Sequence, residues 1–214
     1  MRIARLPGVF RPRSDTWLLA GALRERPELP GGEVLDVCTG SGALAIAAAL
    51  GGARSVTAVD VSRRALLSVW LGARLNGVHV EARRGSLLAA VPGRRFDVIV
   101  ANPPYLPGAV PPARGADRHT EAGARGRVLL DRLIDAAPGH LRPGGVLLVT
   151  HSSVNGEDAT LARMRAAGLG AEVVRRRHGG LGPLLAARAP ALEARGLLPP
   201  GVRDEDLLVV AGAR

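Results

Sequence analysis

Lysine is missing from this chain: of its 214 residues, 29 are basic and every one is arginine. With 28 glycines, 16 prolines and abundant alanine, this reads as the codon usage of a GC-rich genome rather than as a functional device. Cysteine is nearly absent too. A single Cys38 excludes an internal disulfide and suits a reducing cytosol. Aromatics amount to 2%, so a core must be built from Leu, Val and Ala. The longest apolar run, near Leu44 to Leu50, is far too short to cross a bilayer. No secretory leader is expected, because Met1-Arg2-Ile3-Ala4-Arg5 runs into Leu6-Pro7-Gly8 without an apolar segment. These absences point to a cytoplasmic protein without a membrane partner. The net charge of +10 allows a polyanionic partner such as RNA or a ribosome-bound factor. No basic tail exists, however, and a solvated arginine-rich surface is the simpler account.

The length fits one well-cored α/β domain, taken here as residues 1–214 with a helical lead-in over about 1–30. Ser14 and Asp15 offer caps for a helix carrying Trp17, Leu18, Leu19, Ala22 and Leu23. Strands are predicted at Val34–Cys38, Ser55–Val59, Val80–Arg84, Val98–Asn102, Val146–Thr150, Glu172–Arg176 and Leu207–Val210. Helical spacing separates them, as in the segment from Ser62 to about Leu75 and the one from Arg127 to Leu141. The pattern predicts a doubly wound, mostly parallel seven-stranded α/β sheet, Val80–Arg84 near an edge and the last two strands paired antiparallel. Pro143-Gly144-Gly145 reads as a turn, and Leu184–Arg195 as a proline-interrupted helical stretch. Residues 106–124 lack apolar periodicity and read as a substrate-side loop.

The chemistry gathers where the strands end. Phe96-Asp97-Val98-Ile99-Val100-Ala101 runs into Asn102-Pro103-Pro104-Tyr105, and the two prolines force a stiff exit from the sheet. An amide, a carbonyl and an aromatic face held there suit a planar –NH2 group. Asp36 precedes the turn Thr39-Gly40-Ser41-Gly42. Gly40 to Ala45 satisfies the dinucleotide pattern G-x-G-x-x-A, which leaves an NAD(P)-dependent oxidoreductase as a distant alternative. A carboxylate at Asp36 suits an ammonium group better than a pyrophosphate, and so favours a cofactor with an amino-acid end. Asp60, twenty residues after Gly40, can take both hydroxyls of a ribose. Gly85-Ser86 ends the third strand, where an adenine would lie.

In this order and spacing, Asp36 to Gly42, Asp60 and Asn102-Pro103-Pro104-Tyr105 resemble a class I, Rossmann-like S-adenosylmethionine-dependent methyltransferase. The tetrad resembles that of the HemK/PrmC group, which methylates a glutamine side-chain amide in translation release factors. Phe10 to Thr16 resembles the N-terminal segment of its short branch, and Gly123 to Arg132 its glycine/arginine segment. The resemblance implies S-adenosyl-L-methionine bound by Asp36, Cys38, Thr39, Gly40, Gly42, Asp60, Val61, Ser86, Asn102 and Thr16, with no metal. It implies catalysis by Asn102, Pro103 and Tyr105, and a protein acceptor such as a release factor. A nucleobase in RNA or DNA, or a small metabolite amine, is the alternative acceptor. Three departures stand out: no separate N-terminal helical domain fits before Val34, Arg11 and Ser14 replace acidic residues usual in the short branch, and Ser86 replaces an acid or amide. His119 and His151 are read as loop residues without a catalytic part, and the sequence specifies no activating subunit.

Overall fold

In a computed structural model describing residues 1–108 and 122–214, β1 (Glu33–Val37), β2 (Ser55–Asp60), β3 (Glu81–Arg84), β4 (Phe96–Ala101), β5 (Leu141–Ser152), β6 (Gly170–Gly180) and β7 (Asp204–Ala213) share one sheet. Their order is β3-β2-β1-β4-β5-β7-β6. The first five run parallel, and β7 is antiparallel to both of its neighbours. This is the expected doubly wound architecture, with β3 at an edge.

Side chains alternate across the central strands, as a two-residue period demands. Val34, Val98, Val100, Val146 and Leu148 pack toward α1 (Ser14–Arg24), α2 (Ala43–Leu50) and α3 (Arg63–Leu75). Leu35, Val37, Ile99, Leu147 and Val149 pack toward α4 (Val128–His140) and α5 (Glu157–Ala166). Strands buried on both faces read as continuous apolar runs, which is why β4 was legible. The first six residues of α2 are buried, and its alanines let α1 and α3 approach it closely. A third, smaller cluster joins Leu106 to Leu185 of α6 (Pro183–Ala186) and to Ala189 and Leu192 of α7 (Ala189–Ala194).

Four sequence expectations need correction. The first strand stops at Val37, because Cys38 takes a left-handed backbone with φ of 58°. Arg13, not Ser14 or Asp15, is the residue before α1, and Asp15 lies buried in its first turn. Pro143-Gly144-Gly145 does not form a separate turn: it is absorbed into β5, with a register irregularity between Phe96 and Val98 on β4. His151 is a fully buried strand residue, not a loop residue. Burial pushes its imidazole down to about 4, and its Nδ1 lies 2.8 Å from the Ser152 carbonyl. His119 and most of the expected 106–124 loop lie outside the described residues. The two ends of that segment meet, with Ala122 N donating to Leu106 O at 3.1 Å and Gly108 N to Gly123 O at 3.0 Å.

Candidate active site

The strand order reverses direction between β1 and β4, and open α/β sheets take ligands in the crevice beyond such a point. Val37 pairs with Ala101, so Cys38 and Asn102 leave the sheet side by side. A cavity of about 320 Å³ opens there. Along its wall, following the sheet order, come Ser86 after β3, Asp60 at the end of β2 with Val61 after it, and Cys38 and Gly40 after β1. Asn102, Pro103 and Tyr105 follow β4, and Glu205 and Leu207 come from β7.

The glycine turn is tied together by two carboxylates. Asp36 Oδ2 accepts from Thr39 Oγ1 at 2.5 Å and from Ala45 N at 2.9 Å. Asp60 Oδ2 accepts from Gly40 N at 3.0 Å, and its Oδ1 from Ser62 N at 2.9 Å. Gly42 has φ of 82°, and a Cβ there would meet Val69 of α3 at 3.0 to 3.3 Å. It is required for helix packing. Asp36, Thr39, Gly42 and Thr16, expected at the cofactor, therefore stand behind the cavity wall rather than on it. Asp36 is fully buried, because the turn it organises folds over it.

Asp36 Oδ1 has no hydrogen-bond partner among the described residues. Burial pushes its carboxyl up to about 7, against two hydrogen bonds that favour ionisation, and the nearby Asp60 charge adds to the rise. An orphaned carboxylate oxygen beneath the turn, with Gly40 backbone on the wall, fits a cofactor bearing an ammonium group. The raised value also sets a pH dependence. Between about 4 and about 7 the unfolded chain has lost this proton while the folded chain keeps it. The ligand-free protein is therefore expected to lose stability as pH rises across that window. Asp36→Asn should flatten this part of a melting-temperature profile, and an unchanged profile would contradict the assignment. Burial, with Asp60 and Asp36 adding, pushes the Cys38 thiol up to about 12, so it remains protonated.

At the other end the tetrad is held from three sides. Asn102 Nδ2 donates to Thr16 Oγ1 at 3.1 Å. That hydroxyl donates in turn to Asp15 Oδ1 at 3.2 Å, and Tyr105 Oη donates to Asp15 Oδ2 at 2.9 Å. Burial first, then the Asp15 charge, raises the Tyr105 phenol well above its ordinary value, so it stays protonated. The Tyr105 carbonyl accepts from Asn155 Nδ2 at 2.6 Å. Gly126 backs it so closely that a Cβ would clash with that oxygen. Arg127 locks the surroundings, donating to the carbonyls of Asn155 and Gly156 at 2.8 and 3.2 Å and pairing with Asp131. Reading Asp15 as a helix cap missed its tie to Tyr105, although it stands inside the Phe10–Thr16 segment. Nothing local in the sequence flags Glu205, since it reaches the cavity only because β7 inserts beside β5.

The fold, the glycine turn and the Asn102 tetrad define an S-adenosylmethionine-dependent methyltransferase of class I. The chain belongs to the methyltransferase small domain family, which it matches over residues 1–168. It is 33% identical over 171 residues to a provisionally named protein N5-glutamine methyltransferase of Methanocaldococcus jannaschii, covering 78% of this chain and 84% of that protein. It is 42% identical over 171 residues to the release factor glutamine methyltransferase of Deinococcus radiodurans, covering 76% of this chain. The chain spans only 60% of that bacterial enzyme's length. The structure of the E. cuniculi Mtq2–Trm112 complex, described as responsible for methylating the eRF1 translation termination factor, superposes with a TM-score of 0.67. That match has 25% identity and covers 97% of this chain and 99% of that one. The dinucleotide pattern at Gly40 to Ala45 is thus no sign of a nicotinamide enzyme. Among the described residues, no helix is long and apolar enough to cross a membrane.

Proposed function

We propose that this protein methylates the side-chain amide nitrogen of a glutamine in a protein acceptor, a translation release factor being the leading candidate. The observation that carries this reading is the orientation of Asn102. Thr16 Oγ1 gives its own hydrogen to Asp15 and so can only accept from Asn102, which turns the Asn102 amide nitrogen away from the acceptor. Asn102 Oδ1 and the Pro103 carbonyl are left to accept the two hydrogens of a planar –NH2. An amide nitrogen is a poor nucleophile because its lone pair is delocalised, and fixed acceptors favour the positive charge that develops on it. Tyr105 covers the planar group, its hydroxyl anchored by Asp15. S-adenosylmethionine supplies an already activated methyl group, so positioning is the main task. The nitrogen, once alkylated, loses a proton to water, and no strong base is needed. The names of the relatives support a glutamine acceptor, and a cytoplasmic location follows from a translation factor as substrate.

Gly40, Asp60, Val61 and Ser86 line the cavity and hold the cofactor in this reading, while Asp36 acts through its charge from behind the turn. An ammonium seated against the turn in front of Asp36 favours the ionised carboxylate, so cofactor affinity should rise as pH rises toward about 7, with release of a proton on binding below that pH. Calorimetry in buffers of different ionisation enthalpy measures that proton. Asp36→Asn should abolish its release.

Thr16→Val keeps shape and burial but removes the acceptor that orients Asn102. Turnover should fall about 10-fold, the scale of one lost orienting hydrogen bond, with cofactor affinity within a few-fold. Full turnover in this variant would mean that Asn102 needs no orienting partner. The reading as a whole is tested by methyl transfer to a release factor, bulk RNA and a small-metabolite extract. Transfer to the release factor supports it. Transfer confined to RNA or metabolites moves the acceptor to the other class.

A further inference from the structure

The parallel rows place a second carboxylate at the acceptor end of the cavity. Ala101 pairs with Val149, and Val149 with Val210. Because β7 runs antiparallel, Glu205 lies five residues beyond that row, toward the same edge at which Tyr105 lies four residues beyond it. Both line the cavity. Glu205 is 7% exposed. Its Oε1 accepts from Gly182 N at 2.9 Å, which joins β7 to the start of α6. Its Oε2 is buried and has no hydrogen-bond partner among the described residues. Leaving such an oxygen unpaired is costly, and a ligand that brings a donor removes the cost.

We propose that Glu205 Oε2 accepts a main-chain N–H of the peptide that carries the target glutamine; this rests on the protein-glutamine reading above. Gly182, Pro183, Leu184, Leu185 and Leu207 share the cavity lining with it, mostly apolar side chains and backbone. A neutral N–H satisfies the open oxygen with a charge-assisted bond and brings no further charge into that apolar setting. Asp15, the neighbouring carboxylate, is already occupied by Thr16 and Tyr105. Glu205 thus distinguishes a glutamine inside a polypeptide from a bare amide or an aromatic amine, which have no main-chain donor to offer.

Glu205→Gln isolates this contact. Its amide oxygen keeps the bond from Gly182 N, while an NH2 group, a donor, replaces the open acceptor. With a release factor as acceptor, KM should rise about 10- to 100-fold, kcat should stay within about 3-fold, and cofactor affinity and melting temperature should not fall. A peptide spanning the methylated glutamine is then compared with versions N-methylated at single backbone positions. One N-methylated position should weaken the parent enzyme to the level of Glu205→Gln and leave Glu205→Gln itself unaffected. An unchanged KM in Glu205→Gln, with the parent methylating glutamine, overturns the Glu205 contact and leaves the glutamine reading standing. A lower melting temperature or weaker cofactor binding makes the residue structural and also overturns it. No transfer to glutamine by the parent rejects the reading and the contact together.

Discussion

Asn102→Ala is expected to lose turnover by at least about 100-fold while binding S-adenosylmethionine within a few-fold of the parent. The magnitude is that of removing one preorganised hydrogen-bond partner from a catalytic site. The separation of effects follows from the geometry. Asn102 projects from the end of β4, and its side chain is bonded to α1 through Thr16 rather than to the glycine turn. The turn has its own supports in Asp36 and Asp60. Loss of the amide therefore leaves the cofactor end intact. Asn102→Asp keeps an oxygen for the acceptor hydrogen and should retain a small residual rate. It gives up the donation to Thr16 and places a second carboxylate close to Asp15. The measurement is single-turnover rate and cofactor dissociation constant on one protein preparation. Parental turnover in Asn102→Ala would reduce the tetrad to a rigid turn.

Asp60→Ala should show the opposite pattern, with cofactor affinity reduced about 100-fold and the acceptor end untouched. Asp60 does two things in the structure. Its Oδ2 accepts from Gly40 N and its Oδ1 from Ser62 N, so it fixes both the turn and the approach to α3. Its carboxylate also lines the cavity, where both oxygens keep lone pairs for a pair of ribose hydroxyls. Charge-assisted, two-point contacts are the strong ones, and their loss justifies the size of the effect. Asp60→Asn keeps one acceptor oxygen and should fall between the two. The readout is isothermal titration with S-adenosylhomocysteine, backed by the stabilisation this ligand gives in thermal unfolding. Parental affinity in Asp60→Ala would remove the residue from the cofactor site.

How much of this was legible in the sequence depended on the range of the interaction. β1, β2 and β4 announce themselves because they are buried on both faces, and β4 also runs into two prolines that break the ladder. Asp60, Gly40, Ser86 and Asn102 could be placed on one sheet edge because a parallel sheet brings all its strand ends there. Asp36 was assigned its place on the right strand, but its depth behind the turn depends on how Thr39 and Ala45 fold back over it. The Thr16–Asp15–Tyr105 network spans 90 residues of sequence and has no local signature. Ser14-Asp15 looks like capping chemistry, and only the tertiary approach of α1 to β4 gives Asp15 a different partner. Glu205 depends on β7 entering between β5 and β6, which alternation alone does not specify. The positive charge has a local account as well. Arg163 meets Asp131 and Asp135, and Arg176 meets Glu157 and Asp206, so these arginines are already paired on the surface.

The central claim is that a glutamine side-chain nitrogen receives the methyl group. Fragmentation mass spectrometry of a release factor incubated with the protein and S-adenosylmethionine tests it most directly. The account predicts one added methyl on the side-chain amide of a single glutamine, absent when Asn102→Ala replaces the parent. A methyl found on a main-chain nitrogen, a lysine or a carboxylate, or one that persists with Asn102→Ala, would contradict it.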